Sequence, residues 1–320
     1  MPHSPTTPTP IAAMGRRMIA RFALAFPLAL LAACADGQPP AEPDSPAPAA
    51  DMARWAAQCG DDDAWDKPGP PFRIHGGSYY VGTCGITAIL VTGPEGHVLI
   101  DGGPEGAALV IADNIAALGF DLSDVKLLLH SHEHFDHVAG LAELQRRSGA
   151  RLLASDRAAP VLASGRAAPD DPQADVLDPF PAMRVDGQLA PDRPVTLGPL
   201  SLTPVATPGH TPGALTWHWR SCAGEGDGAD CRTIVYADSL SPISGDAYRF
   251  SDHPDVVAGF RDGLARLAAL DCDILLTPHP AASGMRDRLA AGDLADPAAC
   301  ADYAADITRR LDARLAEENR

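Results

Sequence analysis

The chain has 320 residues, enough for one large domain or two modest ones with a well-buried core. It is acidic, with 42 Asp and Glu against 25 Lys and Arg and a formal net charge of -17 at pH 7, and no basic stripe runs along it. That excludes nucleic acid as an expected partner, because such binders concentrate Lys and Arg on one face.

Arg16, Arg17 and Arg21 precede an apolar run at residues 22–31, too short for a comfortable membrane span but fitting the apolar core of a secretory signal. Leu31-Ala32-Ala33-Cys34 closes the run and resembles a bacterial lipoprotein cleavage box. Residues 1–34 are therefore expected to be a signal peptide of lipoprotein type, with Cys34 lipidated as a membrane anchor and the chain exported to the periplasm. Simple cleavage after a small residue is the alternative. Residues 35–71 read as a linker and N-terminal extension, with the Pro- and Ala-rich stretch 35–50 too poor in bulky apolar side chains to fold.

Seven cysteines behind a secretory signal point to an oxidising compartment. Without Cys34 six remain, and spacing alone does not choose among their connectivities. Cys222 and Cys231 flank a Gly- and Asp-rich loop between two strand-like runs, which suits a hairpin neck; Cys59 with Cys84 and Cys272 with Cys300 follow as sequence-neighbour pairs.

The folded domain is expected over residues 72–320. Short apolar runs at 78–81, 87–92 and 97–100 read as strands, the last two joined by the turn Gly93-Pro94-Glu95-Gly96. Residues 105–118 read as a helix stopped by Gly119, 125–129 as a buried strand, 138–147 as a helix and 151–154 as a strand with Ser155 or Asp156 capping a short helix. Residues 164–194 show little periodicity and read as a long surface excursion. Strands follow at 200–205, 214–220, 232–237 and 274–277, with helices at 256–270 and 298–316. Two strand-rich halves, each carrying helices, fit two sheets packed face to face with helices outside.

Between the strand at 125–129 and its helix lies His130-Ser131-His132-Glu133-His134-Phe135-Asp136-His137. His132, His134, Asp136 and His137 crowd four metal-ligand types into six positions with no Lys or Arg among them. The protease pattern HExxH is absent, since Asp136 stands where its second His belongs. Two further strand ends carry histidines: His210 in the Pro/Gly turn Thr207-Pro208-Gly209-His210-Thr211-Pro212-Gly213, and His279 in Thr277-Pro278-His279-Pro280. If the ends converge, five imidazoles and one carboxylate meet, a borderline donor set that suits zinc better than magnesium or calcium. His75, His97, His218 and His253 are isolated and read as packed or exposed residues, and His130 as support for the loop.

These three motifs resemble those of the metallo-β-lactamase superfamily, an αββα sandwich (α/β class), over about residues 72–290. With Tyr236-Ala237-Asp238-Ser239-Leu240-Ser241 they look most like the zinc β-lactamases of subclass B-three. That resemblance implies two Zn2+ per chain, one on His132, His134 and His210, the other on Asp136, His137 and His279, with a shared hydroxide opening a small-molecule β-lactam (penicillins, cephalosporins or carbapenems). It also implies that Asp136 orients this nucleophile, and that Ser239 and Ser241, with Tyr248 a weaker candidate, contact the substrate. The three cysteine pairs resemble a disulfide pattern seen in some members. Asp238 is expected outside the metal shell, although glyoxalase II-like relatives place a bridging Asp at this strand end. A lactonase or thioester hydrolase of the same fold is the alternative function, and a monomer is the default expectation.

Overall fold

The computed structural model describes residues 48–320 except residue 225; the expected signal, Cys34 and most of the spacer lie outside the described residues. In chain order the elements are α1 (Pro48–Cys59), β1 (Phe72–His75), β2 (Ser78–Tyr80), β3 (Ile89–Val91), β4 (His97–Ile100), α2 (Ala107–Ala117), β5 (Val125–Leu129), α3 (Phe135–Val138), α4 (Leu141–Ser148), β6 (Arg151–Ser155) and α5 (Ala158–Ser164). Then come β7 (Val185–Leu189), β8 (Val195–Leu197), β9 (Leu200–Ala206), β10 (Leu215–Ala223), β11 (Asp230–Tyr236), α6 (Pro254–Ala268), β12 (Ile274–Leu276), α7 (Met285–Ala291) and α8 (Ala299–Glu318).

Strands β1 to β7 form one sheet in chain order, and a second runs β12-β11-β10-β9-β8. Strand side chains alternate between faces, which sets the layers. Ile89, Val91, Val98 and Ile100 face inward to meet Trp217, Trp219, Ile234, Tyr236, Ile274 and Leu276 of the second sheet. Their neighbours Leu90 and Leu99 face outward under α2, α4 and α5, and Val235 and Leu275 face outward under α6 and α8. The result is the expected αββα sandwich.

The folded body starts earlier than residue 72. Met52, Trp55 and Cys59, spaced three and four apart, put one stripe of α1 into the inter-sheet core, where Trp55 meets Phe72 and Tyr80 edge-on. Cys59 is bonded to Cys84, Cys222 to Cys231 at directly opposed positions of β10 and β11, and Cys272 to Cys300. The helix expected at 138–147 is broken into α3 and α4. Gly140 N–H donates to Gly103 O (2.9 Å), and a side chain there would fall 2.1 Å from Gly102 O, so the chain is pulled onto the neighbouring loop. The excursion at 164–194 contains β7, an edge strand whose half-exposed Val-Asp-Gly-Gln-Leu sequence has no apolar alternation to announce it.

Trp55→Ala should cost about 3–5 kcal/mol, the usual loss for a fully buried Trp. Urea unfolding of the exchanged protein measures it, and a change below about 1 kcal/mol would place α1 outside the cooperative unit.

Candidate metal centre

Strand direction gathers the candidate ligands. β4 and β5 are parallel, as are β11 and β12, and β9 is two antiparallel steps from β11, so the C-terminal ends within each sheet leave on one side. From those ends come Asp101, the His132–His137 loop, the His210 turn, the Asp238–Ser241 segment and His279. Gly209 has φ +147 and any side chain on it would enter the Phe260 ring, so only glycine lets the turn press this close to α6.

His132, His134 and His210 are all buried and bring ligand atoms within 4.8 Å of one another. Their ring centroids lie 5.0, 4.8 and 4.8 Å apart. A second group adjoins it: Asp136 Oδ2 is 3.0 Å from His137 Nε2 and 3.5 Å from His279 Nε2, and the two imidazole nitrogens are 3.2 Å apart. Zinc–nitrogen bonds of about 2.0 Å in a tetrahedral set place ligand atoms about 3.3 Å apart, so this spacing fits a metal ion. Without a cation or shared protons, nitrogen lone pairs and a carboxylate converging this closely would repel.

The rings are held from behind. His132 Nδ1 lies 2.9 Å from Asp238 Oδ1 and 3.2 Å from Ser131 Oγ, and its Nε2 is buried with no protein partner among the described residues. His134 Nε2 meets Asp171 Oδ2 at 3.1 Å, His210 Nδ1 donates to Ser241 O at 2.9 Å, and the His279 ring bonds the backbone of Gly85. One nitrogen each of His134, His210 and His279 is thereby committed to the protein, the arrangement that fixes tautomers in metal sites.

Burial, then the neighbouring imidazoles, hold His132 and His210 well below the usual imidazole range. Neutral imidazole is the form that binds metal. Burial disfavours the Asp136 carboxylate, but His137 and His279 beside it outweigh that and hold its carboxyl below the usual range. Burial pushes Asp238 up to about 8.

Two buried carboxylates assemble the loops. Asp101, at φ +65, accepts from Ser131 N and Oγ (both 2.7 Å) and from Tyr236 Oη (2.6 Å). Glu133 accepts from Thr211 Oγ1 (2.7 Å) and Gly213 N (2.8 Å), tying the His132–His137 loop to the His210 turn. His130 supports the loop, its Nε2 accepting from Ser155 N, and burial lowers it to about 4.

Of the candidate substrate contacts, Ser239 Oγ is buried without a protein partner among the described residues. Ser241 Oγ approaches Ser239 O (3.5 Å) and Arg310 (3.4 Å), and the Tyr248 ring stacks on His253 with centroids 4.4 Å apart. Trp65 stands 40% exposed between Phe135 and His279, at centroid distances of 5.8 and 5.9 Å. Trp65, Asp171, Asp101 and Glu133 adjoin the cluster without belonging to any ligand motif. Only Glu133, inside the histidine run, carried a local signal.

A two-sheet sandwich with adjacent imidazole-rich ligand groups at one sheet edge defines a metal-dependent enzyme architecture. The model for the metallo-β-lactamase superfamily matches residues 81–222. The metallo-β-lactamase MIM-2 is 57% identical with TM-score 0.79, over 83% of this chain and 98% of that one. MEM-A1, a subclass B3 metallo-β-lactamase from a soil metagenome library, is 42% identical with TM-score 0.75, over 80% and 98%. Hydroxyacylglutathione hydrolase of Acidiphilium cryptum (strain JF-5) is 32% identical over 173 residues, 54% of this chain, so the match spans only 56% of that relative. The chain belongs to the metallo-β-lactamase superfamily, and its structural neighbours include subclass B3 enzymes.

Glu133→Ala would leave the Thr211 hydroxyl and Gly213 N–H buried without an acceptor, and should cost about 2–5 kcal/mol in urea unfolding of metal-free protein. Glu133→Gln, which keeps one acceptor, should lose less than about half as much. Equal losses from both would contradict the bridging role.

Proposed function

We propose that this chain is a zinc-dependent β-lactamase that hydrolyses the β-lactam amide of penicillins, cephalosporins and carbapenems and so confers resistance to them. The observation that carries the reading is the 57% identity to a metallo-β-lactamase over 98% of its length, joined to two clusters of ligand atoms, His132, His134 and His210 and, sharing His132, Asp136 and His137, with His279 beside the latter. His132, His134 and His210 hold one zinc ion; Asp136, His137 and His279 hold the second. Bound zinc polarises carbonyl oxygens and lowers the pKa of water from about 16 to about 7.

The chain's own groups do the rest. Water adds to the lactam carbonyl carbon, the C–N bond breaks, and the nitrogen leaves protonated. Asp136, held ionised by His137 and His279 beside it, orients the water by accepting a hydrogen bond from it. The Ser239 hydroxyl, unpartnered within the protein, and Ser241 beside it hydrogen-bond the substrate carboxylate, with Tyr248 further along the same segment. Asp238 Oδ1 lies 2.9 Å from His132 Nδ1, and its role in this reading is to back that ring.

The same fold serves thioester and lactone hydrolysis, and the partial match to hydroxyacylglutathione hydrolase keeps that second reading in play. The signal-like residues 1–34 and three disulfides favour an exported protein over cytosolic glutathione chemistry. Lipidation of Cys34 would then anchor it to the membrane. No helix among the described residues is long and apolar enough to cross one.

Purified zinc-loaded protein should hydrolyse a chromogenic cephalosporin, lose that activity to a chelator and regain it with zinc. His134→Ala should lower kcat/KM at least about 100-fold. Turnover of lactones or thioesters without cephalosporin hydrolysis would move the assignment to the second reading.

A further inference from the structure

The loop at 166–184 reaches the ligand cluster through one side chain. Asp171 is buried, with 1% of its side chain exposed, although it lies in the polar Pro-Asp-Asp-Pro stretch of a segment without helix or strand. Its two oxygens are divided: Oδ1 accepts from Gln173 N (2.7 Å), and Oδ2 faces His134 Nε2 (3.1 Å). Carboxylate oxygens are hydrogen-bond acceptors, so this contact pairs Oδ2 with a donor at Nε2 and leaves the Nδ1 lone pair for the cluster.

The loop is fixed elsewhere by backbone bonds: Phe180 N to Gly165 O, Met183 N to Leu162 O, and Gly245 N to Pro172 O, the last joining it to the Ser239–Tyr248 segment. We infer that Asp171 is a positioning residue: it sets the His134 tautomer and links the order of the 166–184 loop to metal loading. This rests on the reading of His134 as a zinc ligand.

The division of oxygens makes the carboxylate irreplaceable by its nearest isostere. Asparagine has one oxygen for two donors. With that oxygen on Gln173 N, its amide N–H points at His134 Nε2 and drives the imidazole proton to Nδ1, the nitrogen the metal needs. The His134 end therefore suffers from a change that alters almost no volume, while the Gln173 bond survives.

The test uses the full chain and its Asp171→Asn and Asp171→Ala variants. Zinc affinity is read by competition with a chromophoric chelator, the His134 tautomer by imidazole nitrogen NMR of metal-free protein, and loop order by amide exchange over residues 171–177 with and without zinc. Zinc should bind about 10–100-fold more weakly to both variants, the range for lost partners of ligating histidines. Asp171→Asn should move the His134 proton from Nε2 to Nδ1, and zinc should slow loop exchange in the parent far more than in either variant, as reciprocal linkage requires. Zinc affinity within about twofold of the parent in Asp171→Asn, with an unmoved tautomer, overturns the inference alone. A parent chain that binds no zinc overturns the underlying reading and this inference with it.

Discussion

The carboxylate of Asp101 joins the two sheets where the candidate ligands emerge. It accepts from Ser131 at the head of the histidine loop and from Tyr236 at the end of β11, and it lies 3.9 Å from His137 Nδ1. Burial raises its pKa, which is the cost of placing a carboxylate there, and the hydrogen bonds it accepts offset part of that cost. Its positive φ bends the chain out of β4 so that both oxygens face the inter-sheet edge. Asp101 shares the anchoring of the loop with Leu215 N and Trp217 Nε1 of β10, which donate to Ser131 O and His130 O, but it is the carboxylate that bonds the loop and β11 together.

Around that anchor the protein concentrates groups that resist charging together. Imidazoles pack at centroid distances of 4.2 to 5.0 Å in a buried space; burial and the neighbouring rings hold His132 and His210 low, while Asp136 beside His137 outweighs the burial of that ring and raises its pKa. Such a cluster is costly as an empty structural feature and favourable once a divalent cation enters. Glu133 and Asp101 therefore belong to the folding of the site.

The ligand-type residues were legible because their types and spacings are local: four lie in six positions, and His210 and His279 each end an apolar run. The sandwich was legible for the same reason, since short apolar runs such as 87–92 and 97–100 are bounded by turns and recur in two halves that each carry helices. α1 was obscured by its Pro- and Ala-rich surroundings, although the Met52, Trp55, Cys59 spacing was a helical stripe. β7 and β8 are short edge strands whose half-exposed residues follow no strict alternation. Asp171 was invisible because a carboxylate in a Pro-rich turn looks like solvent-facing punctuation, and only the tertiary fold brings it to a histidine 37 positions away. Support for a ligand is by nature a long-range relation.

Trp65 has a practical consequence. Of the four tryptophans, Trp55, Trp217 and Trp219 are sealed in the inter-sheet core, while Trp65 alone is open to solvent, against His279 and Phe135. Its indole is therefore the one of the four that meets solvent and a cluster histidine at once, so its emission depends on the polarity at the mouth of the site.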